Sequence, residues 1–248
     1  MAKTYRAIHQ WDHWLQHALG RSVLDAEQEI LFSLLEQRYG KHAVLLGSPQ
    51  QQRLLNASVM PHYVLISPLI NKDHAIASIE SGFYELPIAS GCVDLVLLPH
   101  TLELLDNPQQ LLMEACRIVK PEGHIIIFGF NSFSLWGLKK RWMQGKHMSW
   151  PGNFIQINTI KKWLALSDFQ LTKQTMLLFR PPMQHASFYK KLKYIEWVGQ
   201  KFLSSFGGAY MIMAQAKTIP LTPIKLRWQQ QLSGMHASIP RPTIRISQ

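Results

Sequence analysis

Two polar residues that could do acid–base chemistry follow a buried strand in the middle of the chain. Residues 93–98 form an almost unbroken apolar run, which is typical of a strand with both faces covered. His100 and Glu103 come directly after it. Because histidine titrates near neutral pH, the pair could act as a base or orient an acceptor molecule. The alternative is structural, with both side chains lining the first turn of the next helix.

Three histidines near the N-terminus are a second candidate site. His9, His13 and His17 recur every four residues beside Asp12, so a helix would present them on one face. Zinc usually needs further Cys, His or carboxylate ligands in closed geometry, and none is evident nearby. The pattern therefore favours a polar helix face beside a binding cleft, and no metal is predicted.

The elements that must position His100 and Glu103 form a crossover unit over residues 91–130. After the 93–98 strand, Asn107 and Pro108 predict a helix start. Residues 121–123 (Pro-Glu-Gly) predict a turn, and residues 124–130 predict another buried strand. A strand, a helix and a second strand in this order imply a parallel sheet.

The rest of the chain predicts elements that could complete such a sheet. The first forty residues read as two helices, with Ser22 and Asp25 as a capping box for the second. The remaining predicted elements are strands over 43–46, 63–66, 170–179 and 210–216, and helices over 158–166 and 188–202.

Several motifs together resemble class I S-adenosylmethionine-dependent methyltransferases, in the broad branch that contains the ubiquinone and menaquinone enzymes. These motifs are Leu86-Pro87 before the 93–98 strand, His-Thr-Leu-Glu-Leu-Leu at 100–105, Val-Lys-Pro-Glu-Gly at 119–123 and Gly-Phe-Asn-Ser-Phe-Ser-Leu-Trp-Gly at 129–137. The resemblance implies a Rossmann-like α/β fold. Its seven-stranded, mostly parallel sheet would have helices on both faces and an antiparallel final hairpin.

The resemblance also implies a domain organisation. Residues 1–40 would form N-terminal helices and residues 41–216 the methyltransferase-like domain. Lid-like insertions would occupy 131–157 and 181–207, and a flexible tail would follow at 217–248.

S-adenosylmethionine is the cofactor that the resemblance implies. In open parallel sheets, ligands bind beyond the carboxyl ends of the strands. The residues implied around the cofactor are Gly47, Ser67, Glu85, Leu86, Pro99 and His100. Glu103 and Asn131 would face the acceptor. Methyl transfer mainly needs an in-line approach of the nucleophile, so positioning could suffice without a dedicated base.

The sequence departs from the family pattern where the cofactor's polar anchors would stand. Leu45 and Leu65 replace two acids, Pro49 replaces a glycine of the first turn, and Gly82 replaces an aspartate, leaving Glu85 as the nearest acid. An alternative function is therefore an inactive methyltransferase-fold module that binds an anionic partner.

The charge distribution is the basis for that partner. The chain has 248 residues with 26 Lys and Arg against 15 Asp and Glu, a net charge of +11. Residues 131–248 carry seventeen of the basic and two of the acidic residues. Such asymmetry favours a phospholipid surface, a nucleic acid or an acidic substrate, although a solvated basic surface would look the same.

Composition bounds the compartment as well. Cys92 and Cys116 are the only cysteines, which excludes a disulfide scaffold. No apolar run approaches the roughly 20 residues that span a bilayer, and residues 1–10 are not those of a secretory signal. A cytoplasmic protein is expected, with the inner membrane surface as an alternative peripheral site.

Overall fold

A computed structural model of the chain describes residues 2–35, 40–57, 60–70, 77–142, 152–179 and 207–218. The predicted helix over 188–202, nearly all of the 181–207 insertion and the tail beyond residue 218 lie outside the described residues. No described helix is long and apolar enough to cross a lipid bilayer.

The described elements alternate between helices and strands. The helices are α1 (Ala2–Leu15), α2 (Ala18–Leu35), α3 (Pro108–Ile118), α4 (Leu135–Trp142) and α5 (Ile157–Leu166). The strands are β1 (His42–Leu46), β2 (His62–Ser67), β3 (Ser78–Glu80), β4 (Val93–Pro99), β5 (Val119–Phe130), β6 (Phe169–Leu177) and β7 (Ala209–Ala216). Two 3-10 helices follow β1 and β4, at Pro49–Ala57 and Thr101–Leu104.

The seven strands form one sheet in the order β3-β2-β1-β4-β5-β7-β6. Pairing is parallel from β3 to β5, and β7 runs antiparallel to both β5 and β6. The predicted fold class is confirmed, including the antiparallel final hairpin. Because strand order reverses between β1 and β4, the carboxyl ends of these two strands border the crevice where such sheets bind ligands.

The central strands form the core because their side chains are apolar on both faces. Residues 95–98 of β4 and 125–128 of β5 are buried throughout. Helix α1 packs on α2 and α3 packs on α5, and burial on both faces is expected of parallel strands.

Two local predictions are wrong. Helix α2 begins at Ala18, so Ser22 lies inside it and donates a hydrogen bond to Leu19 O, and the predicted capping box does not form. Residues 121–123 are part of β5 rather than a separate turn. These turn-forming residues produce only a local irregularity in the strand. Glu122 has a φ of 65°, and the register against β4 shifts at this point.

The predicted start of α3 is confirmed in atomic detail. Asn107 Oδ1 accepts a hydrogen bond from Gln110 N at 3.3 Å, and Pro108 occupies the first helical turn. This cap satisfies one of the backbone donors that every helix start leaves unpaired.

Replacing Asn107→Ala should lower the free energy of unfolding by about 1 kcal/mol, because it removes this side-chain acceptor. Urea denaturation would measure the loss. Asn107→Asp retains an acceptor and serves as the control, and an equal loss in both variants would contradict the capping role.

Candidate functional site

A buried ion cluster at the carboxyl end of β4 centres on His100. Its Nε2 lies 2.6 Å from Glu27 Oε1 of α2, and its Nδ1 lies 3.0 Å from Glu103 Oε2. All three side chains are buried. Glu103 Oε1 also accepts a hydrogen bond from Phe130 N at 2.7 Å. The cluster therefore joins α2, the end of β4 and the end of β5.

The two carboxylates keep the imidazole of His100 protonated. Burial by itself lowers the pKa of His100, but the charge of Glu27 and hydrogen bonds to both carboxylates outweigh it and raise this pKa to about 9. Since both ring nitrogens face carboxylate oxygens, the imidazolium donates to each. At neutral pH this histidine is a structural cation and cannot accept a proton.

Aromatic rings enclose the same cation. The Phe130 ring stacks on His100 with centroids 3.9 Å apart, and Trp11 of α1 approaches it at 5.2 Å. Rings over a cation stabilise it through their negative faces. Helix α1 is thereby packed against the carboxyl edge of the sheet.

Gln51 closes the crevice between β1 and β4. Its Nε2 donates to Pro99 O at 2.7 Å, and its Oε1 accepts from Ser48 N at 2.9 Å. The side chain thus spans the turn after β1 and the last residue of β4. A Cβ at Gly47 would lie only 2.5 Å from Gln51 Oε1, so any other residue there would displace the Gln51 amide. The crevice is filled by the chain itself.

Two buried polar atoms at this edge have no hydrogen-bond partner within the described residues. They are Ser48 Oγ, in the turn after β1, and Glu27 Oε2 in the ion cluster. Buried polar groups are normally satisfied, so such atoms are candidates for contact with a ligand or an ordered water.

A large cleft opens beside the closed crevice, at the carboxyl ends of β2 and β3. Its volume is about 1150 Å³, ample for a ligand of nucleoside size. One wall is α1, and the other consists of the residues after β2 and β3. The lining residues are Thr4, Tyr5, Arg6, His9, Pro68, Glu80, Ser81, Gly82, Phe83, Tyr84 and Glu85.

Most of the residues predicted to surround the cofactor lie at this edge, but only Glu85 lines the cleft. Gly47 is in the turn after β1, and Ser67 and Pro99 end β2 and β4. Ser67 Oγ accepts a hydrogen bond from Leu69 N. Leu86 is buried and its N–H donates to Glu114 of α3.

The two residues predicted to face the acceptor are buried outside the cleft. Glu103 belongs to the ion cluster, and its backbone O accepts from Asn153 N at 2.7 Å. Asn131 donates from Nδ2 to Gly207 O at 3.1 Å and accepts from Phe133 N. Their catalytic roles stay predictions.

Of the three N-terminal histidines, only His9 lines the cleft. The rings of His13 and His17 contact each other edge-on, with centroids 5.0 Å apart. Among the described residues, no group of three or more His, Cys, Asp or Glu side chains is arranged to hold a metal ion.

Three important residues escaped the sequence analysis. Glu27 lies within the apolar stripe of α2, and Arg6 precedes the histidine series. Gln51 follows the turn after β1, where the pattern indicated only that a glycine is missing. An acid on the buried face of a helix was a usable signal for Glu27, because a buried charge requires a partner.

The raised pKa of His100 predicts how stability depends on pH. Its folded-state pKa of about 9 lies above the unfolded value of 6.5, so the ion cluster contributes fully below pH 6.5 and is lost as pH rises through 9. His100→Gln, which leaves buried carboxylates unpaired, should lower the free energy of unfolding by about 3–5 kcal/mol near neutral pH.

Urea unfolding of the native chain and of His100→Gln, at several values between pH 6 and 9.5, would test this. The difference between the two proteins should shrink toward the alkaline end. Glu27→Gln, which keeps hydrogen-bonding capacity, is the milder second variant. A difference that is constant with pH would show that His100 is not a buried cation.

Comparison with known proteins supports the family that the motifs indicate. A family model for a methyltransferase domain matches residues 59–127. The uncharacterized protein YafS of Escherichia coli (strain K12) is 27% identical over 239 residues, covering 94% of this chain and 89% of that protein.

Two solved structures share the fold. An S-adenosylmethionine-dependent methyltransferase of Thermotoga maritima, a possible histamine N-methyltransferase, superimposes with a TM-score of 0.64 at 17% identity, covering 87% of this chain and 99% of that one. The N-methyltransferase NodS of Bradyrhizobium japonicum WM9, in complex with S-adenosyl-L-homocysteine, gives 0.57 at 10% identity, covering 87% and 100%. The domain match shows that residues 59–127 are similar to a methyltransferase domain. The strand order and these two structures show that the chain has the fold of S-adenosylmethionine-dependent methyltransferases.

Proposed function

We propose that the protein transfers the methyl group of S-adenosylmethionine to an acceptor, with the nucleoside part of the cofactor held in the cleft beside β2 and β3. The observation that supports this most is the cleft of about 1150 Å³ at the carboxyl edge of the sheet. Its position agrees with the rule that open parallel sheets bind ligands at this edge. When bound, the cofactor supplies an activated methyl group.

The cleft offers polar and aromatic groups that suit a nucleoside. Glu80 and Glu85 can accept hydrogen bonds from ribose hydroxyls, and the half-buried ring of Tyr84 can contact a purine. Arg6 and His9 of α1 provide donors from the opposite wall. These residues fit the group that the family fold implies.

Glu80 can replace the acid that the second strand lacks. Leu45 and Leu65 face each other across β1 and β2 and are buried, so neither position offers an acceptor. Glu80 pairs with Ser67 at the end of the neighbouring strand and also lines the cleft. The acid that β2 lacks at its carboxyl end is therefore supplied by the neighbouring strand β3.

The remainder of the cofactor would require Gln51 to move. At the β1–β4 crevice its side-chain amide donates to Pro99 O and accepts from Ser48 N, so neither backbone group is available to a ligand. A rotamer change would expose these two groups together with Ser48 Oγ, which has no partner among the described residues. A binding-competent conformation populated only in part lowers the apparent affinity by that fraction.

Acceptor positioning, rather than proton removal by His100, would drive the reaction. His100 is held as a cation by Glu27 and Glu103 and cannot serve as a base. Orienting a nucleophile in line with the methyl group can supply most of the required acceleration. A lipid-like or a nucleic-acid acceptor is the proposed class, by the excess of basic residues after residue 130.

A second candidate function is an interaction module that no longer binds the cofactor. The closed β1–β4 crevice favours it, because Leu45, Pro49 and Leu65 are all buried and Gln51 fills the remaining gap. A fold by itself does not determine an activity, so binding experiments must separate the two candidates.

Filling the cleft with a large side chain should strongly weaken cofactor binding. Gly82 lines the cleft, and a Cβ added there would meet nothing within 4 Å. Gly82→Trp should therefore fold normally and weaken binding of S-adenosylhomocysteine by about a hundredfold, since the indole takes the space of the ligand. Isothermal titration would measure the affinity.

Ala89→Trp is the matched control, because Ala89 is exposed and does not line the cleft. If the native chain and Gly82→Trp bind S-adenosylhomocysteine with the same affinity, the nucleoside does not lie in this cleft. No heat with the native chain at high ligand concentration, together with none for Gln51→Ala, would favour the interaction module.

Shortening Gln51 should strengthen binding rather than weaken it. Gln51→Ala removes the side chain that closes the crevice, so the affinity for S-adenosylhomocysteine should rise by about tenfold. The variant should also lose about 1–3 kcal/mol of stability, because Pro99 O and Ser48 N lose their partner. Titration and urea unfolding would report the two effects separately.

Gln50→Ala controls for changes to the 3-10 helix, because the contact of Gln50 with Asp12 is made by its backbone N. If Gln51→Ala binds the ligand more weakly than the native chain, Gln51 is a ligand contact rather than an obstruction.

A further inference from the structure

The segment that follows β5 exposes three large apolar side chains within six residues. Phe133 is 74% exposed, Leu135 56% and Leu138 62%. Single exposed apolar residues are common on protein surfaces, but a cluster of this kind marks an interaction site. These three residues are called the α4 surface below.

Local hydrogen bonds hold the α4 surface in its conformation. Asn131 Oδ1 accepts from Phe133 N at 3.0 Å, and Ser134 Oγ donates to Asn131 O at 2.6 Å. Leu138 N donates to Ser134 O at 2.9 Å, which continues the turn into α4. The apolar residues are thus presented by a structured segment.

Trp136 anchors the same segment to the core. Its side chain is buried and stacks on Phe130 with ring centroids 5.7 Å apart. Gly208 lies directly beneath it, since a Cβ at Gly208 would collide with the indole ring. Trp136 is turned inward, whereas Leu135 and Leu138 of the same helix remain exposed.

All Lys, Arg, Asp and Glu residues in the sequence around the α4 surface are basic. Residues 131–150 contain four Lys and Arg and no Asp or Glu. Lys139, Lys140 and Arg141 directly follow Leu138 in the same helix. Apolar residues beside a run of cations are typical of a segment that lies in the interface of an anionic bilayer.

We propose that the α4 surface docks on an anionic phospholipid bilayer, with Phe133, Leu135 and Leu138 inserted at the level of the lipid headgroups and the positive charge of the neighbouring sequence adding electrostatic attraction to the lipid. A bilayer explains the surface better than a nucleic acid does. Leucine partitions into a membrane interface, whereas it offers no ring on which a base could stack. This inference is independent of whether the protein transfers a methyl group.

Docking in this way would bring the cleft toward the lipid. The α4 surface follows the carboxyl end of β5, and the cleft lies at the carboxyl ends of β2 and β3. Parallel strands end at the same edge of the sheet, so both features belong to that edge.

Vesicle sedimentation with the full chain would test the proposal. Vesicles of phosphatidylcholine containing phosphatidylglycerol should retain the protein at low salt, and vesicles of phosphatidylcholine alone should retain far less. Raising the salt should reduce retention, because screening weakens attraction between exposed charges. Replacing all three apolar residues with serine (Phe133→Ser, Leu135→Ser, Leu138→Ser) should lower the partition coefficient by about tenfold or more.

Leu166→Ser is the matched control, since Leu166 of α5 is 78% exposed and its helix also carries lysines. That variant should sediment like the native chain, and circular dichroism should show the same fold in all proteins. Retention that survives the triple substitution, or a chain that binds a single-stranded oligonucleotide but not the anionic vesicles, would overturn the proposal.

Discussion

The carboxyl edge of the sheet depends on one buried cation held between two carboxylates. Removing three charged groups from water is expensive, and the cost is offset only when each finds its partner at close range. His100 meets this condition because its two ring nitrogens face Glu27 and Glu103 at 2.6 and 3.0 Å. The arrangement can form only when α2, β4 and β5 are all in place, so it couples the N-terminal helices to the domain that follows.

This coupling explains why the candidate site is not simply the crevice at the ends of β1 and β4. Helix α1 packs against His100 through Trp11 and closes one side of the edge, while its Arg6 and His9 form a wall of the cleft. Gln51 closes the other side, between β1 and β4. In the proposed function, the polar groups that hold the cofactor lie at the end of β3, in the residues after it and on α1. Glu80, which pairs with Ser67 and ends β3, is the clearest example.

The parts of the fold that the sequence predicted are those with strong local signals. The β4–α3–β5 unit has continuous apolar strands and an Asn-Pro helix start, and the final hairpin has two well-separated strand patterns. The capping box at Ser22 and Asp25 failed because the same residue types also occur inside helices, where Asp25 here pairs with Arg53 of the 3-10 helix. The turn at 121–123 failed because pairing with β4 occurs on both sides of it, at Val119 and at His124, so the strand continues past a local irregularity.

The candidate site was harder to predict because its residues act over long sequence separations. The edge itself followed from the strand order, and Glu85, which is predicted to surround the cofactor, lines the cleft. Glu27 and His100 are separated by 73 positions, and Gln51 and Pro99 by 48. No local pattern shows that such residues will meet. The partners of a buried acid on an apolar helix face, or of a glutamine after a turn, can be predicted only once the topology is known.

The ion cluster also constrains how this chain can diverge. Losing His100 leaves two carboxylates unpaired in the core, and losing Glu27 or Glu103 leaves one ring nitrogen of His100 without its acceptor, so any single replacement is destabilising. Homologous chains should therefore keep the trio intact or exchange it wholesale for apolar residues of similar volume, with mixed combinations rare. Positions 27, 100 and 103 should then vary together among homologues, and this covariation would help to identify related chains.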